Sequence, residues 1–228
     1  MASHPESLDI PIPGLESQFI GGKWLDRNPI LVDVMSPTTE ESLVQVADPT
    51  VQDADAAVVA AREAFDNGPW PSMSVSDRVT VCRRLCDLLE ARMDQLNRAW
   101  AFESGATLAH GAMINGTAGV SIWRQALELA PNLPWEEERD GALIWREPIG
   151  TVLGVLTFNG PIVLMGMKII PALLAGCTVI IKHAPESALT SRLIAEAIRE
   201  ADFPLGVVSV LAAGTKVSQH LVGHPGVD

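Results

Sequence analysis

The sequence predicts an α/β protein: an N-terminal region of helices and short strands, then a parallel β-α-β-α-β unit. Two observations carry this. From residue 151 onward, apolar runs of six to eight residues alternate with runs of helical length. The short runs are continuously apolar, as in parallel strands covered on both faces, where a half-exposed strand would alternate. Parallel neighbours need right-handed crossovers, so three such strands with intervening helices form a Rossmann-like unit.

Residues 1–17 read as a loose arm, rich in proline and glycine toward its end. "FIGGKW" at 19–24 reads as a short hairpin turning at Gly21-Gly22, and "SPTTEESLVQV" at 36–46 as a turn followed by a strand. The period then changes. In residues 53–65, Ala57, Val58, Ala61, Ala64 and Phe65 share one helical face, and Asp53 is the expected N-cap. A second helix is expected over 77–99, with Val81, Leu85, Leu88, Leu89, Met93 and Leu96 inward. A third covers much of 107–129. The acidic run at 136–140 suits a solvated loop or hairpin edge, and 142–150 returns to strand alternation.

The unit that follows is expected as strands at 151–158, 177–182 and 207–214, with helices at 161–176, 187–201 and from 215 to 224. Pro161 falls at the first position of its helix, where proline is favoured. The division by sequence is therefore 1–17 arm, 18–134 helical part, 135–148 hairpin and 149–228 βαβαβ unit. With no strand expected beyond 212, the third strand is predicted to be left as an edge or half-covered.

Composition narrows the function. The net charge of −12 falls wholly on residues 1–148, because residues 149–228 carry five basic and five acidic residues. An acidic surface without a basic stripe argues against nucleic acid and against anionic membranes. The apolar stretch 154–187 is long enough to suggest a bilayer span. Its interruptions at Asn159-Gly160-Pro161, Lys168, Pro171 and Ala175-Gly176 fit strand–helix–strand instead. Three cysteines form no even framework, residues 1–18 lack a secretory signal, and a reduced cytoplasmic protein is expected.

In an open parallel sheet, ligands bind beyond the carboxyl ends of the strands. That rule gathers Asn159, Lys182 and Gly214 on one edge. Asn159 is placed to donate to an oxygen gaining negative charge, or to cap the following helix. Lys182 can reach a ribose or phosphate, or face solvent. Neither G-x-G-x-x-G nor G-x-x-x-x-G-K-[ST] occurs. His220 and His224 have the i, i+4 spacing of zinc-binding helices, but Leu221 stands where that motif has glutamate and no third ligand is evident, so no metal is expected. Cys82, Cys86 and Cys177 are expected to be core thiols.

Residues 148–187 closely resemble the aldehyde dehydrogenase superfamily. The family pattern K-x-x-P-A-L-x-x-G-C-x-V-x-x-K reads here "KIIPALLAGCTVIIK", preceded by "PIGTVLGVLTFNGP". The likeness extends through "FIGGKW", "DADAAVVAAREAFDNGPW", "FESGATL" and "FPLGVVSVLAAG". It implies NAD or NADP as cofactor, an aldehyde as substrate and a homo-oligomer at full length, with residues 135–148 as an oligomerisation-type hairpin. By this resemblance Asn159 is the oxyanion-hole asparagine and Lys182 the lysine on the adenosine ribose. Val155, Leu156, Thr157 and Phe158 line the cofactor cleft, with Ala184, Pro185 and Gly214 beside it. Pro185 stands where a glutamate often contacts the ribose, which weakens any strict preference for NAD. Gly160 replaces a bulky aromatic, implying a wider substrate passage. The family's nucleophilic cysteine and general-base glutamate have no counterpart among residues 1–228. The expectation is thus an incomplete aldehyde dehydrogenase fold, inactive alone. A non-catalytic nucleotide-binding or subunit-pairing piece, or half of a split enzyme, is the other reading.

Overall fold

The computed structural model describes residues 8–27 and 29–228. Its strands are β1 (Gln18–Ile20), β2 (Lys23–Leu25), β3 (Ile30–Met35), β4 (Ser42–Asp48), β5 (Glu136–Arg139), β6 (Ala142–Trp145), β7 (Thr151–Val155), β8 (Thr178–His183) and β9 (Val208–Ala212). Its α-helices are α1 (Val51–Asp66), α2 (Val75–Ala91), α3 (Met93–Ser104), α4 (Leu108–Gly111), α5 (Val120–Leu129), α6 (Pro161–Leu164), α7 (Ile170–Ala175), α8 (Ala188–Ala201) and α9 (Thr215–Val222). A π-helical segment, Ala112–Gly119, joins α4 to α5, and another, Met165–Ile169, joins α6 to α7.

The main sheet has five strands in the order β2-β1-β9-β8-β7. The last three are parallel, as the unbroken apolar runs require, and their ends are level: Val155 pairs with Lys182, and Lys182 with Leu211. One face packs Ile180, Leu211 and Ala213 against Ala54, Ala57 and Val58 of α1 and Val217 and Leu221 of α9. The other packs Val179, Ile181 and Val210 against Leu173, Leu189 and Ile194 in the larger core.

The expected edge is corrected. β9 is an inner strand, because β1 pairs with it antiparallel through Phe19 and Val210. The first hairpin, far upstream of the parallel unit in sequence, completes the sheet. Its turn needs two positive φ values, 59° at Gly21 and 87° at Gly22, which glycine adopts without steric cost. The edges are β2 and β7 instead; at β7 the Asp228 N–H donates to Thr151 O at 3.0 Å and the Asp228 carboxylate accepts from Thr151 N at 2.8 Å.

Other boundaries also move. Helix α1 starts after Thr50, whose Oγ1 accepts from Asp53 N while the Asp53 carboxylate accepts from Thr50 N at 2.9 Å. Asp53, the expected cap, is thus the far half of a capping box, three residues inside the actual cap Thr50. The helix expected over 77–99 breaks at Arg92 (φ −106°, ψ 10°), whose guanidinium is held by Glu200 of α8. The π turn before α7 lies where Pro171, lacking an N–H, interrupts the regular ladder. Residues 8–17 are no loose arm: Ile10 is buried in the core and Leu15 O accepts from Ala47 N at 2.7 Å. Residues 1–7 of the expected arm lie outside the described residues. The acidic run does form a hairpin, β5–β6.

Helix α8 has no cap from its own flank, since Ser187 bonds back to Ala184 O. Glu103, on α3, supplies it: the buried carboxylate accepts from Leu189 N at 2.7 Å, from Thr190 N at 3.0 Å and from Thr190 Oγ1. One turn on, Arg192 donates to Leu15 O, Ser17 O and Ala47 O. Burial raises the Glu103 carboxyl to about 7, outweighing the pull of Thr190, Leu189 and Arg192. Burial lowers Arg192 to about 10.

Glu103→Ala leaves two buried N–H groups without acceptors and is expected to cost roughly 2–4 kcal/mol in denaturant unfolding. The folded carboxyl also holds its proton more tightly than the unfolded one. Its contribution to stability is therefore fully present below the ordinary carboxyl pKa of 4.5 and is lost as pH rises through about 7. Melting temperatures across pH 4.5–8 should show that decline in the parent chain and a flatter profile in Glu103→Gln.

Candidate cofactor cleft

Because β7, β8 and β9 end level, the segments leaving them converge on one side of the sheet. There they enclose an open cleft of about 540 Å³, lined by Val155, Lys182, Ala184, Pro185, Glu186, Gly214 and one face of α9.

Lys182 is only 9% exposed, and its side chain reaches the cleft from the strand's end. Burial lowers its pKa and the charge of Glu186 opposes the shift. Strand alternation sends the next residue the other way: His183 is fully buried, both ring nitrogens lack a hydrogen-bond partner, and burial with the Lys182 charge lowers it to about 3. It stays neutral and takes no part in the cleft. Gly214 is the N-cap of α9, where no side chain bonds the first turn and an added Cβ would meet nothing within 4 Å. No side chain caps the backbone N–H groups that open α9, and Gly214 and Thr215 line the cleft, a setting that favours an anionic or polar ligand.

Val155 lines the cleft, and its carbonyl accepts from Lys168 Nζ at 3.0 Å. Leu156 does not reach it: its side chain is 1% exposed within the larger core, and only its backbone, N–H to Lys182 O at 2.8 Å, serves the edge. Thr157, Phe158 and Asn159 are exposed on the loop that leaves β7. Asn159 does not cap α6, whose N-cap is Gly160. Its Oδ1 accepts from Thr157 Oγ1, which leaves the amide N–H₂ free to donate outward.

Two tryptophans hold this loop, and the sequence reading gave neither a role. Trp100 Nε1 donates to Phe158 O at 2.7 Å, and Trp123 Nε1 to Ile162 O at 2.8 Å. His110 stacks on Trp100 with ring centroids 5.9 Å apart. A buried indole needs an acceptor, so a tryptophan on a helix face was the available signal. Glu186, Thr215, Ser218, Gln219 and Val222 were missed as well. The last four recur at helical spacing just beyond Gly214, a pattern readable from the sequence.

The three cysteines are unpaired and buried. Burial pushes the thiols of Cys82 and Cys86 up, the latter to about 11. Neither is poised as a thiolate, the form that attacks carbonyls. Among the described residues no helix is long and apolar enough to cross a membrane.

Known proteins share this arrangement. The model of the aldehyde dehydrogenase family matches residues 24–228. A geranial dehydrogenase of Castellaniella defragrans is 34% identical over 216 residues, covering 92% of this chain and 45% of the relative. A phenylacetaldehyde dehydrogenase of Pseudomonas fluorescens is 33% identical, covering 92% of this chain and 44% of the relative. Among solved structures, an aldehyde dehydrogenase of Mycobacterium tuberculosis complexed with NAD+ superposes with a TM-score of 0.88 at 35% identity, over 93% of this chain and 45% of that one. An aldehyde dehydrogenase of Pseudomonas syringae complexed with NAD+ and octanal gives 0.89 at 30% identity, over 100% of this chain and 46% of that one. The chain thus spans just under half the length of the relatives it matches. A matching family model over nearly all of the sequence, joined to the same fold, shows that the chain belongs to the aldehyde dehydrogenase family.

Proposed function

We propose that this chain is the cofactor-holding part of an NAD(P)-dependent aldehyde dehydrogenase, which oxidises an aldehyde to a carboxylic acid. The observation that carries the reading is the common edge: the Asn159 amide, the Lys182 ammonium and the bare N-terminus of α9 stand beyond three level strand ends. The residues fit a dinucleotide. Lys182 and Gly214 would hold the adenosine ribose and its neighbour, with Val155, Ala184 and Pro185 as the apolar wall. Bound there, the nicotinamide supplies a hydride acceptor. Asn159 would steady the aldehyde oxygen as it gains negative charge. Phe158, 45% exposed, flanks Asn159. A Cβ on Gly160 would meet Val163 and Ile114 at 3.9 and 4.0 Å, so the side chains beside this position are apolar and suit an apolar aldehyde.

The three buried thiols support a division of labour: this segment binds and orients, and the nucleophile comes from another part of a full-length enzyme. The β5–β6 hairpin, which exposes Leu143 and Trp145, is read as a subunit-pairing element, and the three unpaired cysteines elsewhere in the chain suit a cytoplasmic setting. The purified 228-residue chain should therefore show no aldehyde-dependent NAD(P)H formation. Turnover that disappears in Cys177→Ala would overturn this assignment.

In an enzyme of full family length carrying this segment, Asn159→Ala should lower kcat by roughly 10²–10³-fold with little change in cofactor affinity. A loss under about threefold with intact folding would reduce Asn159 to a loop residue.

Lys182→Ala in the same enzyme should raise the cofactor Kd more than it lowers kcat, because a ribose contact is felt equally before and in the transition state. The Glu186 carboxylate in the same cleft should repel a 2′-phosphate. Fluorescence titration of Glu186→Gln should thus show a gain for NADP+ relative to NAD+. An unchanged ratio would place Glu186 outside the contact.

A further inference from the structure

The sequence reading set aside His220 and His224 for want of a third ligand. The fold supplies one from 165 residues away. Asp55 of α1 lies against both: its Oδ1 is 2.5 Å from His220 Nε2 and 3.5 Å from His224 Nε2. The three donor atoms lie within 4.8 Å of one another. We propose that Asp55, His220 and His224 form a binding site for a divalent first-row transition-metal ion such as Zn2+.

The donor set decides the class of ion. Two imidazoles and one carboxylate suit zinc, nickel, cobalt or copper, whereas magnesium and calcium take oxygen ligands. Donors bonded at zinc distances sit about 3.3 Å apart in a tetrahedron. The Asp55–His224 pair already matches, and the Asp55–His220 pair opens by under about 1 Å. The two supports are packed: Ala54, Ala57 and Val58 of α1 meet Val217 and Leu221 of α9 in one cluster. The donor side chains are partly exposed, so solvent reaches the cluster.

One bond must change. Gly226 N donates to His224 Nδ1 at 3.0 Å, which makes Nε2 the protonated nitrogen facing Asp55. Ligation through Nε2 moves that proton to Nδ1 and opens the Gly226 contact. The ion would tie α1 to α9, and α9 also walls the cofactor cleft through Thr215, Ser218 and Gln219. A cation here therefore fixes one wall of the cleft without touching the chemistry.

The test uses the tag-free 228-residue chain after EDTA treatment, titrated with ZnCl2 against a chromophoric chelator. One equivalent is expected to bind and to raise the melting temperature. His220→Ala/His224→Ala and, separately, the conservative Asp55→Asn should each weaken binding by roughly 10-fold or more. His110→Ala, at an exposed histidine elsewhere, should leave it unchanged, and MgCl2 should not compete. Circular dichroism confirms that each variant is folded. Absence of Zn2+ binding, equal binding by the parent and the folded double variant, or equal competition by Mg2+ would each overturn the proposal.

Discussion

Strand β8 is buried at all six of its positions, and most of the molecule answers to that constraint. A parallel strand with apolar side chains on both faces needs two covering layers and two neighbouring strands. Helices α1 and α9 close one face, while α7 and α8 close the other with α2 packed outside them. The neighbours are β7 and β9. Each of these elements comes from a different stretch of sequence, so burying six residues commits the chain from Thr50 to Val222 to one arrangement.

The same strand explains how a charged group comes to stand at an otherwise apolar centre. Lys182 can be held near the core because its ammonium emerges at the strand's end, while its stem remains among apolar neighbours. Alternation then turns His183 inward, where burial keeps it neutral. Adjacent residues with opposite electrostatic fates follow from the two-residue period of the strand. Beside them, Glu103 and Arg192 are buried ionisable groups in the service of geometry. The first satisfies the amides that open α8, and the second gathers three carbonyls from the N-terminal segment. Between them they fix where α8 begins, and hence the Ala184–Ser187 turn that forms one lip of the cleft.

Much of this was legible in advance for a physical reason. The apolar runs at 151–158, 177–182 and 207–214 could satisfy both faces only as parallel strands, and the rule for open sheets then places Asn159, Lys182 and Gly214 together. What the runs could not reveal is which strand lies outermost. β9 has the same composition whether or not β1 pairs with it, and that pairing depends on three residues, Gln18–Ile20, too few to carry a period. The break at Arg92 was hidden likewise, since neither glycine nor proline marks it.

By itself, the sequence determined the α/β class, the parallel unit, the edge where Lys182 and Gly214 meet and the family resemblance, because these rest on local period and contiguous motifs. Only the tertiary structure decided the partners that are distant in sequence: β1 on β9, Glu103 on α8, Trp100 on the Phe158 carbonyl and Asp55 between His220 and His224. Each joins side chains or backbone groups more than 50 residues apart, whose meeting depends on how the layers pack. Packing sums over the whole core, and no window of sequence contains that sum.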